Sequence, residues 1–353
     1  MREMVNGVRV LRTYLYVPKN PRSTLRRILF DSSFALSALV SIFNRPRPDV
    51  IVIISPPLQL VLTALVIAFF RRAPVFMHIQ DLVPDAAIAV GALRPDGTAV
   101  QLAQALERLA YRKASGIGVI CEGMRQNLLA KGVPMEKVTL LPDYIDLDSV
   151  GPISANNAFR ARHGIPPGEF LVVYSGSVGG KQGLETFVEA AVAFEETSGI
   201  TCCLIGDGPY LLDLKRLARH LSLQKFRFVP LQPREALPEQ LCAADVLVIT
   251  QRKSISDMVF PGKLLYYMAS RRAILAAVSE NSETGRFILE NKVGLVVPPE
   301  DPERFADAIR WMRAHPERIR ALGEKGREVV GRHFDRTTVL ERFTEHLETF
   351  AKS

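Results

Sequence analysis

The stretch GSVGGKQG, residues 176–183, follows the apolar run FLVVYS (170–175) and precedes a helical pattern whose Leu184, Phe187, Val188, Ala191 and Val192 form one apolar stripe. Gly176, Gly179 and Gly180 would let the backbone approach a ligand closely, and a helix start supplies unpaired N–H groups and a positive dipole end. With the full charge of Lys181, this is anion-binding chemistry. The spacing matches neither GxxxxGK[ST], because Gln182 follows the lysine, nor GxGxxG. The same glycines also suit a plain turn between strand and helix. A second loop, IGDGP at 205–209 with Gly206 and Asp207, stands in the same relation to the next apolar run. Two such loops at the ends of successive strands would line one cleft, where a nucleotide diphosphate is the usual occupant. A third stretch, QRKSISDMVFPGKLLYYMASRRAILAAV at 251–278, carries Lys263 just behind a Pro261-Gly262 turn that starts a helix. A cation in the first turn opposes the helix dipole, which is poor local design unless an anion sits there.

The elements that must position these loops are legible as eight apolar runs alternating with helical patterns. They are VIVII (50–54), PVFMHI (74–79), GIGVIC (116–121), FLVVYS, CCLIG (202–206), FRFVP (226–230), DVLVIT (245–250) and AILAAV (273–278). The alternation predicts an α/β protein with parallel, doubly wound sheets covered on both faces. In such sheets ligands bind beyond the carboxyl ends of the strands. A chain of 353 residues exceeds the size of a single core. The polar, aperiodic stretch DYIDLDSVGPISANN marks the seam, giving expected domains 1–155 and 156–335. The closing pattern RTTVLERFTEHLETF predicts a helix over 336–353 that can pack back on either domain, the first being preferred.

Composition narrows the partners. The net charge of +8 lies entirely in the first 80 residues, which hold eleven Lys/Arg against three Asp/Glu. Such a region suits nucleic acid, anionic lipid or a phosphorylated substrate, but no interleaved aromatics or recognition-helix pattern favours nucleic acid. From Val50 to Phe70 no residue is charged, yet SPP at 55–57 cuts that run into a strand and a short apolar helix, and neither piece spans a bilayer. The segment RRILFDSSFALSALVSIFNR, residues 26–45, suits a helix lying on a bilayer surface or one packed in a core. No apolar leader opens the chain. Four cysteines without a CxxC pair give neither a disulfide nor a zinc framework, and Cys202 and Cys203 read as buried strand thiols of a protein in a reducing cytoplasm.

The ordered set SGSVGGKQGLETFVEAA, IGDGP, FVPLQPREALPEQLCAADVLVI and PGKLLYYMA resembles the carboxyl-terminal domain of the retaining glycosyltransferases of family 4, which have the GT-B fold. The stretches MHIQDLVPDAAIAVG and LERLAYRKASGIGVICEGMRQNLLAKGVPMEKVTLLPDYID are similar to the branch that builds bacterial surface polysaccharides, including colanic acid and its fucosyltransferase-type enzymes. The resemblance covers roughly residues 5 to 345. It implies two Rossmann-like domains facing across a cleft, a nucleotide sugar held mainly by the second, and a lipid-linked oligosaccharide acceptor on the side of the first. By position, Gly176, Gly179, Gly180 and Lys181 would hold the donor diphosphate. Gly206 and Asp207, with Leu231, would border the base, and Lys263 would reach phosphate or sugar. A GDP- or UDP-linked sugar is the implied donor, with fucose from its guanosine diphosphate form suggested by the colanic acid likeness. Cations and helix termini can stabilise the departing diphosphate without a metal, so neither a metal nor another cofactor is expected.

The chain departs from the family pattern in three places. The arginine common after the first loop glycine is Ser177, so Arg252 and Lys253 become candidates for the missing phosphate contact. The paired glutamates fall on Met258 and Tyr266, leaving Asp257 as the nearest acid, a residue that a solvent-facing turn would explain equally well. The opening NGVRVLRTYLYV resembles a point some 50 residues into the family pattern, which leaves two readings, a gene start set too far downstream or a first domain that lacks its opening strand. Asp81, after the strand PVFMHI, is the candidate for ordering or deprotonating the acceptor hydroxyl, an Asp cap of the next turn being the plainer alternative. His78 is a second catalytic candidate, a core histidine being the plainer reading. The function implied is sugar transfer by an enzyme bound peripherally to the inner face of the plasma membrane, where its basic first quarter meets anionic lipid. A non-catalytic scaffold subunit and a nucleotide-sugar epimerase are the rival readings.

Overall fold

The computed structural model describes residues 2–18, 24–43, 45–82, 85, 97–151, 158–196, 199–254 and 260–351. They fall into two compact units, Met1–Leu141 with Arg342–Ser353, and Pro142–Glu341.

In the first unit, β1 (Arg2–Val5) and β2 (Val8–Leu11) form an antiparallel hairpin about Asn6-Gly7. The sheet proper is parallel and runs β3 (Ile51–Ser55), β4 (Val75–Ile79), β5 (Gly116–Val119) and β6 (Val138–Leu140) in that order. Every residue of β4 and β5 is buried, as continuous apolar runs require when both faces are covered. β3 is an edge strand, and its Val52 and Ile54 stand exposed. Pro56 and Pro57 end β3 before the helix Leu60–Arg71, the break expected from SPP. Residues 342–351, the last turns of the closing helix Arg336–Ala351, return to this unit, where Phe343, His346 and Phe350 pack edge-on or tilted against Phe76. Gly116 is what lets them in, since a methyl group there would overlap the Phe350 ring.

The second unit holds six parallel strands, β7 (Phe170–Ser175), β8 (Ile200–Ile205), β9 (Arg227–Val229), β10 (Val246–Thr250), β11 (Ala273–Ala277) and β12 (Gly294–Val297), in the spatial order β12-β11-β10-β7-β8-β9. Side chains alternate between two apolar layers. Leu171, Val173, Cys203, Leu247 and Ile249 face one, and Val172, Tyr174, Cys202, Val246 and Val248 the other. The two adjacent cysteines thus point to opposite faces, and burial pushes both thiols up, Cys203 to about 12. All eight apolar runs are strands. The seam lies earlier than the expected boundary at 155/156, because Ile145 and Val150 are buried in the second unit's core and Arg327 donates to the Leu147 and Val150 carbonyls.

Candidate functional site

The strand order of the second unit reverses between β7 and β10, which pair through Val246–Val172 and Leu247–Val173. The region beyond the carboxyl ends of these two strands is the place where open α/β sheets take ligands. The 176–183 loop follows β7 and the 251–254 loop follows β10.

Backbone hydrogen bonds stitch the first two glycine loops together. Gly176 N donates to Ile205 O (3.0 Å), Val178 N to Asp207 O (2.9 Å), and Tyr210 N to Val178 O (3.2 Å). Gly206 N donates to Val229 O (3.1 Å), fixing the second loop to β9 as well. Gly206 has φ +153°, and a methyl group on it would overlap the Gly176 carbonyl oxygen, so no other residue fits. Gln182, the residue that breaks the P-loop pattern, has a local job: its Oε1 accepts from Gly179 N at 3.0 Å and closes the 3₁₀ turn Gly180–Gln182. The helix behind that turn, Glu185–Ala190, is short and starts four residues after Lys181, not directly behind the glycines.

Arg252 clamps this loop from the β10 side. Its backbone N donates to Lys181 O (3.1 Å), Nε to Gly180 O (2.7 Å), and Nη2 to Glu185 Oε1 (2.5 Å). The guanidinium is thus engaged by protein groups and acts on the loop's shape. Lys253 is exposed, with its backbone N directed at Glu300 Oε1 (3.4 Å). Arg252→Ala should leave the Gly180 carbonyl and Glu185 without their partner and cost roughly 1 to 3 kcal/mol of stability. Chemical denaturation checks this, and an unchanged midpoint would show that the clamp carries no energy.

Lys263 opens the helix Lys263–Ala269 and turns back under the glycine loop. Its Nζ lies 3.8 Å from the centre of the Tyr174 ring and against Gly176, and no carboxylate among the described residues pairs with it. Desolvation lowers its pKa to about 7. A cation held at a helix start, away from water and without a counter-charge, is relieved by an arriving anion. One turn along the same helix, Tyr267 Oη accepts from Ser175 N (2.9 Å) and donates to Ser175 O (3.0 Å), locking the last residue of β7. Gln240 Nε2 adds a bond to Ser175 Oγ (3.2 Å), while Gln240 Oε1 and Thr250 Oγ1 are buried without partners.

Among the remaining expected residues, Asp207 accepts from Gly208 N (2.7 Å), and Leu231 is 68% exposed beyond β9, an apolar platform in the open. Tyr266 packs against the apolar layer that contains Leu264 and Leu265. Asp257 lies outside the described residues. In the first unit, His78 is buried on β4 beneath the Phe343 ring (5.8 Å between centroids), with its pKa lowered by burial and Nδ1 unpartnered. Its sheet face is the one the closing helix covers. Asp81, half-buried, lies two residues past the end of β4. Sequence reasoning missed Tyr210, whose ring lies against Gly180; an aromatic placed directly after IGDGP was the available signal.

Residues 155–329 match the family described as "Glycosyl transferases group 1", and residues 1–143 match the "Glycosyl transferase 4-like domain". The chain is 30% identical over 342 residues to WcaI of Escherichia coli K12, provisionally named a colanic acid biosynthesis glycosyl transferase, covering 95% of this chain and 82% of WcaI. Among solved structures it is similar in fold to the sucrose-phosphate synthase of Thermosynechococcus elongatus, with TM-score 0.78, 20% identity and coverage of 99% and 86% of the two chains. It is similar also to Anabaena HepE in complex with UDP-glucose, with TM-score 0.73, 15% identity and coverage of 93% and 84%.

Proposed function

This chain belongs to the group 1 glycosyl transferases and has the GT-B fold, and from that premise we propose a retaining transfer of a hexose or deoxyhexose from a nucleoside diphosphate to a lipid-linked saccharide. The observation that carries the donor half is Lys263: a nearly buried ammonium, without a counter-charge among the described residues, set against the first glycine of the switch-point loop. A diphosphate placed there meets Lys263 from below and Lys181 from the loop. Leu231 and the Gly206-Asp207 turn flank the position of the base.

In the transfer, the bond from the anomeric carbon to the β-phosphate oxygen breaks and one to the acceptor hydroxyl oxygen forms on the same face. The acceptor proton leaves to a base, for which Asp81 is our candidate, and the electron pair stays on the departing diphosphate. Fixed cations that gain strength as this charge grows lower the barrier more than they tighten the ground state. Protein cations and backbone N–H groups can do this work without a metal, so we expect none to be required. The surface-polysaccharide role is supported by the likeness to WcaI, named for colanic acid biosynthesis; a lipid-linked acceptor and a place at the inner face of the plasma membrane are our reading of that role.

The test is incubation with GDP- and UDP-linked sugars, with and without lipid-linked acceptor, in chelator. Transfer in chelator is the expected result. An isomerised nucleotide sugar would make the protein an epimerase, binding without turnover a scaffold subunit, and turnover that only magnesium restores would contradict metal independence.

A further inference from the structure

The helix Leu60–Arg71, sequence LVLTALVIAFFR, shows solvent nothing but hydrocarbon until its last residue. Thr63, its one polar residue before Arg71, is turned inward, where Oγ1 donates to Ala35 O of the helix Thr24–Phe43 at 2.8 Å. The outward positions are Leu62, Val66, Phe69 (80% exposed) and Phe70, the last two rings set edge to face at 5.3 Å. The neighbouring helix repeats the pattern, with Leu36 64% and Val40 68% exposed one turn apart. A surface helix of a soluble protein normally carries polar residues on its outer face, and apolar patches of this kind mark a binding surface.

We propose that the outward faces of these two helices dock on an anionic phospholipid bilayer, with Phe69 and Phe70 set below the headgroups and the helices lying in the interface. Charge selects this occupant. Arg71 and Arg72 follow the phenylalanines directly, and Arg47 Nη2 donates to Arg72 O at 3.0 Å, drawing the Arg45–Arg47 segment to the same end. No acidic residue occurs between Asp49 and Asp81. An apolar face ending in a basic cluster matches acyl chains beneath anionic headgroups, whereas a second copy of this chain would bring like charges together. Spanning is excluded for this helix by length: its 12 residues extend about 18 Å against a hydrocarbon core of about 30 Å. No helix among the described residues is long and apolar enough to cross a membrane. The surface deepens the reading of a lipid-linked acceptor, on which it rests only for its purpose; all its residues belong to the first unit, whereas the donor loops belong to the second.

The full chain is mixed with vesicles of phosphatidylcholine alone or with phosphatidylglycerol and floated on a density gradient, without any nucleotide sugar. Flotation is expected only with phosphatidylglycerol, falling as salt rises. Phe69→Asp and Leu36→Asp, both at exposed sites, should each cut it roughly tenfold. Thermal unfolding of each variant checks that the first unit still folds, and nucleotide binding, measured separately, checks the donor site of the second. Three results would overturn the proposal: no flotation, flotation equal on neutral vesicles, or unchanged flotation of both variants. Self-association of the vesicle-free protein that Phe69→Asp abolishes would assign the surface to a second copy instead. Loss of donor binding in the wild type would count against the donor site and leave the lipid result standing.

Discussion

Gly206→Ala is expected to abolish detectable donor binding and to destabilise the second unit by about 2 to 4 kcal/mol, combining backbone strain with a forced shift of packed backbone. The reason is geometric. The added methyl group must displace the Gly176 carbonyl, and with it the bonds by which the two loops hold each other, from Gly176 N to Ile205 O and from Val178 N to Asp207 O. Moving Gly176 also moves the surface against which Lys263 Nζ rests. Calorimetric titration with nucleoside diphosphate, paired with thermal unfolding, checks both halves. Native affinity in the variant would mean that the glycine loops do not shape the site.

Lys263→Met should separate binding from stability. The variant loses the cation beneath the loop, and donor affinity should fall roughly 10- to 100-fold, the range for a hydrogen bond to a charged group. The unliganded protein should be at least as stable as the wild type, because an apolar side chain of similar length replaces a desolvated charge over the Tyr174 ring. The pH dependence has a definite sign. In the free protein the lysine has a pKa lowered to about 7, and a bound diphosphate raises it, since the anion favours the charged form. The affinity is therefore fully present below about pH 7 and is lost as pH rises from there toward the bound-state pKa, by up to tenfold per unit. A nucleotide sugar is the proper ligand, because its diphosphate does not itself titrate in that window. The slope should vanish in Lys263→Met; a slope that persists belongs to another group.

What the sequence made legible depended on run length. Eight strands could be read from runs of five or six residues, which reach past the short β5 and β9 that lie within them, whereas β6 and β12, three and four residues long, were not singled out. The stripe from Leu184 to Val192 predicted one continuous helix. The chain instead tightens to a 3₁₀ turn at Ala191–Phe194, which leaves Val192 exposed while Ala191 and Phe194 stay buried. Lys263 could be singled out early because its conflict with the helix dipole is local. The work of Arg252 could not, because its partners Gly180 and Glu185 lie some 70 residues away and meet it only through the pairing of β7 with β10. His78 was a catalytic candidate beside Asp81, with a core histidine the plainer reading. What covers its face of β4 depends on the return of residues 342–351, a long-range event that no local pattern records.

A crystal structure of the chain with bound nucleotide sugar bears most directly on the diphosphate site. A phosphate oxygen is expected within hydrogen-bond distance of Lys263 Nζ, with the diphosphate lying along residues 176–181. A nucleotide sugar seated elsewhere, with that loop and lysine untouched, would contradict it.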